Sequence, residues 1–354
     1  MTLQQQTMDD KPLLSVILPC YNCSATIEKT LQSLCLNKDE SCMRMEIIAV
    51  NDGSTDSTLD LLENLQSIYP ELKVESKENG GLCSARNAGL NVASGKYVYI
   101  IDPDDFIFPG VLPQIIREME KKSSSIGVFG IKQRMSNEEV NDVDLTAMEI
   151  PQIEFNEPFQ STMFFSSPAF VFTTFLIEMV FRKDMIGNDR FCEDICIGED
   201  AVFIRNQYLK DVKMSFYKKP LKTCGYRILT TGLTLSKNPE RVRKRELSRV
   251  GLLREYSKMK AGYNGNNQDV LKKLDLLDSF HVYGLFVGQL GNPLLSKTEV
   301  YNLYLDMEKN GKFPIVDFTN EPYYPCDFRS KMLRQIVNHK WLYKIVLDIR
   351  YLLN

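Results

Sequence analysis

Glu46–Ile68 reads EIIAVNDGSTDSTLDLLENLQSI. An apolar run suited to a buried strand comes first. Seven small, polar and acidic residues follow, Val50–Asp56 (VNDGSTD), and then Leu59, Leu62 and Leu65 recur at helical spacing. A plain turn needs two or three such residues. Seven between a strand and a helix leave room for a helix start and for a ligand.

The same alternation runs outward on both sides. Leu13–Pro19 (LLSVILP) predicts a first strand, and Ser24 offers a cap for a helix carrying Ile27, Leu31 and Leu34. Met45–Val50 predicts the second strand and Leu72–Ser76 a third. Leu82–Ala93 predicts a helix ended near Gly95. Lys96–Ile101 (KYVYII) predicts a strand, Leu112–Met119 a helix, and Ile126–Ile131 (IGVFGI) one more strand. Strands separated by helices imply right-handed crossovers and a mostly parallel sheet covered on both faces, with ligands at the carboxyl ends of the strands. Gln133–Gln160 carries seven acids against Arg134 and reads as an acidic surface insertion or loop. From about Asn238 onward the pattern turns helical.

Composition narrows the function classes. The chain has 354 residues, 44% hydrophobic and 25% charged, as in an ordinary soluble globular protein of one large domain with an appendage, or of two domains. A net charge of −3 supplies no field for nucleic acid. The start, MTLQQQTMDDK, lacks the apolar core of a signal peptide. No apolar run reaches the ~20 residues of a membrane helix, and the longest, FVFTTFLIEMVF, contains Glu178. A cytoplasmic protein is expected. The nine cysteines include the pairs Cys20/Cys23 and Cys192/Cys196, neither with a second pair at zinc spacing, so free thiols are expected. His281 and His339 lie far from every motif, which leaves acid–base chemistry to carboxylates.

Three groups can carry that chemistry. Asp102-Pro103-Asp104-Asp105 crowds three carboxylates after a buried strand. Either a divalent cation such as Mg²⁺ or Mn²⁺ neutralises them, or they form a turn in which Asp105 caps the helix near Pro109. Asn79–Gly89 (NGGLCSARNAG) places two glycines before a helix, where exposed N–H groups can face an anion and Arg86 and Asn87 can reach a ligand; it is also an ordinary turn and helix start. It is not a dinucleotide fingerprint, which needs G-x-G-x-x-G after a first strand. Gly198-Glu199-Asp200 suits either a helix N-terminus with well-placed acids or a general base.

The order of these pieces is specific. SVILPCYN, VNDGSTD, NGGLCSARNAG, YVYIIDPDD, GED, then Tyr226-Arg227 with GLTLS resembles the family 2 glycosyltransferases of GT-A fold, over roughly Leu13–Ser236. The resemblance implies an inverting transfer of sugar from a nucleotide-diphosphosugar, UDP-linked by first expectation, to a hydroxyl of a saccharide or lipid-linked saccharide. It implies that Pro19, Tyr21 and Asn22 line the nucleoside pocket and that Asp52 hydrogen-bonds the base. Ser54–Ser57 then start the next helix. Arg86 lies near the nucleotide or its phosphates. Asp104, with Asp102, holds the metal, and Asp102 and Asp105 also serve the ribose, the donor sugar or metal-bound water. Asp200 is the catalytic base, Glu199 orients the acceptor, and Arg227 binds diphosphate. Many relatives carry a Trp in the region that reads TTFLIEMVFRKD here; the only Trp of this chain is Trp341, so the acceptor pocket is expected to differ.

The expected organisation is a tail over 1–12, the GT-A domain over 13–236 and a helical region over 237–354, the last outside the resemblance. Lys237–Arg249 reads as a solvated basic helix face. Near the C-terminus Met332, Leu333, Ile336, Val337, Leu342, Ile345, Val346, Ile349 and Leu353 fall on one helical face among basic residues. That face suits packing on the domain, a second subunit, or a peripheral contact of 330–354 with the anionic inner face of the plasma membrane. Two other functions stay open. A nucleotidyltransferase would need a glycine-rich, lysine-bearing loop where PCYNCSAT stands. A non-catalytic sugar-nucleotide-binding protein would be expected to have lost Asp52, Asp104 and Asp200.

Overall fold

The structure, a computed structural model, describes residues 11–38, 43–167, 175–228, 238–291, 294–317 and 327–352. GLTLS, the last piece of the motif series, lies outside them.

The alternation read from the sequence is the architecture of the first unit. β1 (Leu14–Cys20), α1 (Ile27–Cys35), β2 (Met45–Asp52), α2 (Thr58–Leu65), β3 (Leu72–Lys77), α3 (Leu82–Val92) and β4 (Tyr97–Ile100) follow in order. β1 lies between β2 and β4 and is parallel to both, and β3 continues the parallel array beyond β2. All seven residues of β1 and all four of β4 are buried. That explains why they read as continuous apolar runs rather than alternations. Gly89 of α3 lets that helix close on the sheet: a Cβ there would stand 2.4 Å from Ile17 Cγ2.

Beyond β4 the sheet is mixed. β5 (Phe106–Ile107), α4 (Val111–Lys122), β6 (Ile126–Val128), β7 (Ile131–Ser136), α5 (Asn137–Asp142), β8 (Phe159–Gln160), β9 (Met179–Arg182) and α6 (Lys183–Ile186) follow. Then come α7 (Glu199–Tyr208), β10 (Lys213–Phe216) and β11 (Lys222–Ile228). The main sheet runs β3-β2-β1-β4-β9-β6-β10-β8, and a small sheet runs β5-β11-β7. β9 is antiparallel to both β4 and β6.

Four local expectations are corrected. IGVFGI is not one strand: it breaks at Phe129-Gly130, so that β6 enters the main sheet and β7 the small one. Gln133–Gln160 is not a bare acidic loop. It holds part of β7, then α5 with a Ser136–Glu139 capping box, then β8, and it buries Val140 and Leu145 in the core. Ser24 does not cap α1, whose N-cap is Thr26; its hydroxyl donates instead to Asp56 at 2.7 Å. Asp105 does not cap α4, which begins after a left-handed Gly110.

A second compact unit consists of 165–167, Asp194–Gly198 and the described chain from Asn238 onward; the remaining described residues form the first unit. Its helices are α8 (Pro239–Gly262), α9 (Gln268–Gly291), α10 (Lys297–Lys309), α11 (Phe328–Asn338) and α12 (Lys340–Leu352). The apolar stripe expected along 332–353 is not one face. α11 and α12 break at His339; Val337, Tyr343 and Leu347 turn inward, Met332, Ile345 and Ile349 turn out, and Leu353 lies outside the described residues. No helix among the described residues is long and apolar enough to cross a membrane.

Candidate active site

The site lies at the carboxyl ends of β2 and β4, where Arg86 of α3 joins the turn after β4 to the start of α7, entirely within the first unit. VNDGSTD is held by the loop after β1. Asn22, with φ +49°, accepts through Oδ1 from the backbone N–H groups of Thr55 at 2.8 Å and Asp56 at 3.3 Å. Its own N–H donates to Ser54 Oγ at 3.1 Å. Pro19 is buried at the end of β1, and Tyr21 stands 51% exposed beside it. α2 begins at Thr58, whose N–H donates to Asp56 Oδ1 at 3.0 Å. Asp56 thus holds the first N–H of α2, whereas Ser54 and Thr55, expected to start that helix, are tied to Asn22 instead.

Asp52 is buried at the end of β2. Its Oδ1 accepts from Lys77 Nζ at 2.6 Å and Gly80 N–H at 2.9 Å, and its Oδ2 from Gly81 N–H at 2.7 Å. One carboxylate therefore ties down the glycine pair that precedes α3. Gly53, with φ +66°, completes the junction: a Cβ there would meet the Asn79 backbone nitrogen at 2.9 Å, so a side chain is excluded on both counts.

The next five residues of α3 bring in Arg86, which is 1% exposed. Its Nη1 donates to Asp200 Oδ1 at 2.6 Å and Glu199 Oε1 at 3.1 Å, and its Nη2 to Asp102 Oδ1 at 2.8 Å. The Phe191 ring lies 5.3 Å from the guanidinium carbon. A residue expected beside a nucleotide phosphate thus joins three carboxylates from two distant parts of the chain. Burial works against its charge, but Asp200, Asp102 and Glu199 outweigh that and raise its pKa further.

Asp102, Asp104 and Asp105 can each place one oxygen within 4.8 Å of the other two. The turn is held from below by Thr30, whose hydroxyl lies 2.6 Å from Asp105 O and 3.0 Å from Pro103 O. Asp105 is buried and accepts from the Arg227 N–H at 2.9 Å. Burial first, then Asp104 and Asp102, raise its carboxyl well above the ordinary range. Burial and the adjacent Asp102 likewise push Asp104 up to about 6. These are hard oxygen donors in a cluster with negative charge in excess, which fits a divalent cation.

Arg227 does not point freely outward. Its Nε donates to Asp104 O at 2.9 Å, and its Nη1 bonds Asn137 and Asn141 of α5.

Asp102, Asp105, Asp200 and Arg86 line one open pocket together with Ile100, Phe175, Leu176, Ile177 and Tyr226, about 260 Å³ including its mouth. Burial pushes the Asp200 carboxyl up to about 8; Arg86 opposes this, while Glu199 and Asp102 add to it. Asp52 is not among the lining residues. It stands two strands from β4, roughly 10 Å at the usual strand spacing.

Phe175–Ile177, Lys132 and Glu178, which surround the motif residue Tyr226, escape a reading by motif. Lys132 Nζ lies over the Phe175 ring and 4.5 Å from the centroid of Tyr226. Its backbone N–H donates to Glu178 Oε1 at 2.9 Å. Burial lowers Lys132 to about 8 and raises Glu178 to about 7. The lone signal for this cluster is a glutamate inside an apolar run.

Residues 15–181 match the family described as glycosyl transferase family 2. A chondroitin synthase of Pasteurella multocida (strain Pm70) is 35% identical over 118 residues, 33% of this chain and only 12% of the synthase. Among solved structures, S. aureus TarS 1–349 in complex with UDP superposes with a TM-score of 0.60 at 18% identity, covering 96% of this chain and 92% of that one. The mannosyltransferase PcManGT of Pyrobaculum calidifontis, in complex with GDP-Man and Mn²⁺, gives 0.52 at 15% identity, covering 97% and 87%. At these identities the structures share the fold, an α/β sheet of GT-A type with C-terminal helices.

Proposed function

From membership of glycosyl transferase family 2, to which this chain belongs through residues 15–181, we infer that it moves a sugar from a nucleotide-diphosphosugar to a hydroxyl. A UDP-sugar is the first choice of donor, and a saccharide or lipid-linked saccharide the acceptor. One observation carries the reading: Arg86 draws Asp102, from the end of β4, and Asp200, from the start of α7, onto one pocket. The bound UDP of TarS and the GDP-Man of the mannosyltransferase support a nucleotide-linked donor.

Asp200 is the general base. It takes the proton of the acceptor hydroxyl as that oxygen bonds to the anomeric carbon. The bond from this carbon to the β-phosphate oxygen breaks, and the nucleoside diphosphate leaves with the electron pair. A single displacement inverts the centre. A base serves best with a pKa near the working pH, and Asp200 at about 8 meets that condition. Glu199, beside it on Arg86, orients the acceptor.

Asp104 and Asp102 would hold Mn²⁺ or Mg²⁺, which when bound neutralises charge growing on the leaving diphosphate. Arg227 would turn from Asn137 and Asn141 toward that diphosphate. Asp52 would read the base through Oδ2, which accepts only one bond here and keeps a lone pair for an imide N–H. Pro19, Tyr21 and Asn22 would line the nucleoside.

Incubation of the full chain with UDP-sugars and Mn²⁺ tests this. Slow UDP release is expected, abolished by chelator and restored by metal. Asp200→Asn should lower it roughly 10²–10⁴-fold while the donor still raises the melting temperature. Turnover of nucleoside triphosphate with sugar-1-phosphate would instead identify a nucleotidyltransferase. Donor binding with no turnover on any acceptor would identify a non-catalytic binder.

A further inference from the structure

The last two helices each present an apolar row to solvent. On α12, Trp341, Ile345, Ile349 and Leu352 recur at intervals of four, four and three. At 100° per residue they fall within an arc of about 80°. All four are exposed, Trp341 by 66% and Leu352 by 83%, while Tyr343 and Leu347 on the opposite side are buried. α11 repeats the arrangement with Phe328 and Met332 outward and Val337 and Arg334 inward. Single exposed apolar residues are ordinary, but a row of this length needs a partner.

Charge beside the rows selects the partner. Lys331 and Lys344 are exposed, each one position before an outward apolar residue, and Arg329 is exposed next to Phe328. Asp348, the acid nearest the α12 row, is ion-paired to Lys297 at 3.0 Å. Residues 327–352 hold six bases and two acids in a chain whose net charge is −3. A two-fold contact between copies would set these lysines against their own kind, and lysine is depleted at the centre of protein interfaces. Trp with lysine-flanked aliphatic rows is instead the make-up of helices that lie in the headgroup region of a bilayer. We propose that α11 and α12 dock on an anionic lipid surface, with Trp341, Ile345, Ile349 and Leu352 entering the headgroup boundary and Lys331 and Lys344 meeting lipid phosphates. Docking of this kind is independent of the sugar-transfer chemistry.

Trp341 is the only tryptophan of the chain, so its emission reports this surface alone. Vesicles containing phosphatidylglycerol should shift the emission of the full chain to shorter wavelength at low ionic strength. The shift should reverse with salt and be at least tenfold weaker with pure phosphatidylcholine. Ile345→Glu with Ile349→Glu should weaken vesicle binding at least tenfold while leaving UDP release and thermal unfolding unchanged. Lys331→Glu with Lys344→Glu should abolish the preference for anionic lipid. Emission unchanged by anionic vesicles at low salt would overturn the proposal, as would a blue shift that grows with protein concentration without lipid, the mark of a second copy.

Discussion

Asp200 and Arg86 set opposing demands on one another. A carboxylate removed from water beside Glu199 and Asp102 favours its proton, and only Arg86 pulls the other way. In the metal-free protein the Asp200 pKa of about 8 lies above the value of an unfolded aspartate. Its contribution to stability is therefore full below about 4 and is lost as pH rises through about 8. Asp200→Asn should remove that decline, read as a flatter plot of melting temperature against pH between 4 and 8. For the active protein, protonation of Asp200 predicts a kcat/KM that rises about tenfold per pH unit on the acid side and levels once the carboxylate is ionised. Arg86 is the structural counterpart. Arg86→Met leaves three acids facing one another and should cost about 3–5 kcal/mol, a fall in melting temperature on the order of 10 °C. Arg86→Lys keeps the charge but not the fork that reaches three acids, and should fall between. The acids at 102, 104 and 105 were legible as a cluster because three carboxylates in four residues repel unless something neutralises them, while Glu199 and Asp200 were singled out as catalytic through the resemblance. The arginine was not legible, since nothing local to NGGLCSARNAG tells a phosphate ligand from the partner of acids lying 16 and 114 positions away.

Elements buried on both faces were the legible ones. β1, β2 and β4 announce themselves as apolar runs because no solvent side imposes an alternation. The small sheet was not legible, because β5 has two residues and β7 reads IKQRMS with a single buried position. β9 hides inside a longer apolar run and joins antiparallel, against the right-handed crossover rule that served for the others. One polar knot ties the legible elements together at the edge opposite the site. Glu46, at the start of β2, accepts from Ser15 Oγ of β1 at 2.5 Å, from Ser94 N–H and Oγ at 2.7 Å each, and from Lys73 Nζ of β3 at 2.7 Å. Burial would raise its carboxyl, but the bonds from Lys73, Ser15 and Ser94 outweigh it and hold the group down to about 2. A depressed folded pKa stabilises above the unfolded value and loses that contribution as pH falls from about 4.5 toward 2. The loss is on the order of 3 kcal/mol. Glu46→Gln should destabilise the chain at pH 7, measured by urea unfolding, and the gap to the parent should close near pH 2.

At the scale of the molecule, the sequence suggests a GT-A domain over 13–236 followed by a helical region over 237–354. The compact units are interleaved along the chain: the second claims Asp194–Gly198, five residues that precede the proposed catalytic pair Glu199-Asp200. Within that unit the Cys196 N–H donates to Ser248 Oγ of α8 at 3.0 Å, and Asp194 pairs with Arg254 at 2.7 Å. Gly198, with φ +86°, leaves a space in which a Cβ would touch Leu252 at 3.1 Å. No periodicity could reveal this, since a five-residue segment without regular structure carries no pattern that names its partner. Removing residues 237–354 would retain every proposed site residue yet strip these five of Ser248, Leu252 and Arg254. The truncated chain should therefore bind donor at least tenfold more weakly or not fold at all, and should release no UDP. A milder variant separates the two outcomes. Leu252→Ala with Ser248→Ala keeps all helices, and should lower kcat with donor KM nearly unchanged if the segment serves to aim Asp200. Steady-state kinetics on this variant, with circular dichroism to confirm its fold, decides the matter: an unaltered kcat would leave the segment no role in setting the base.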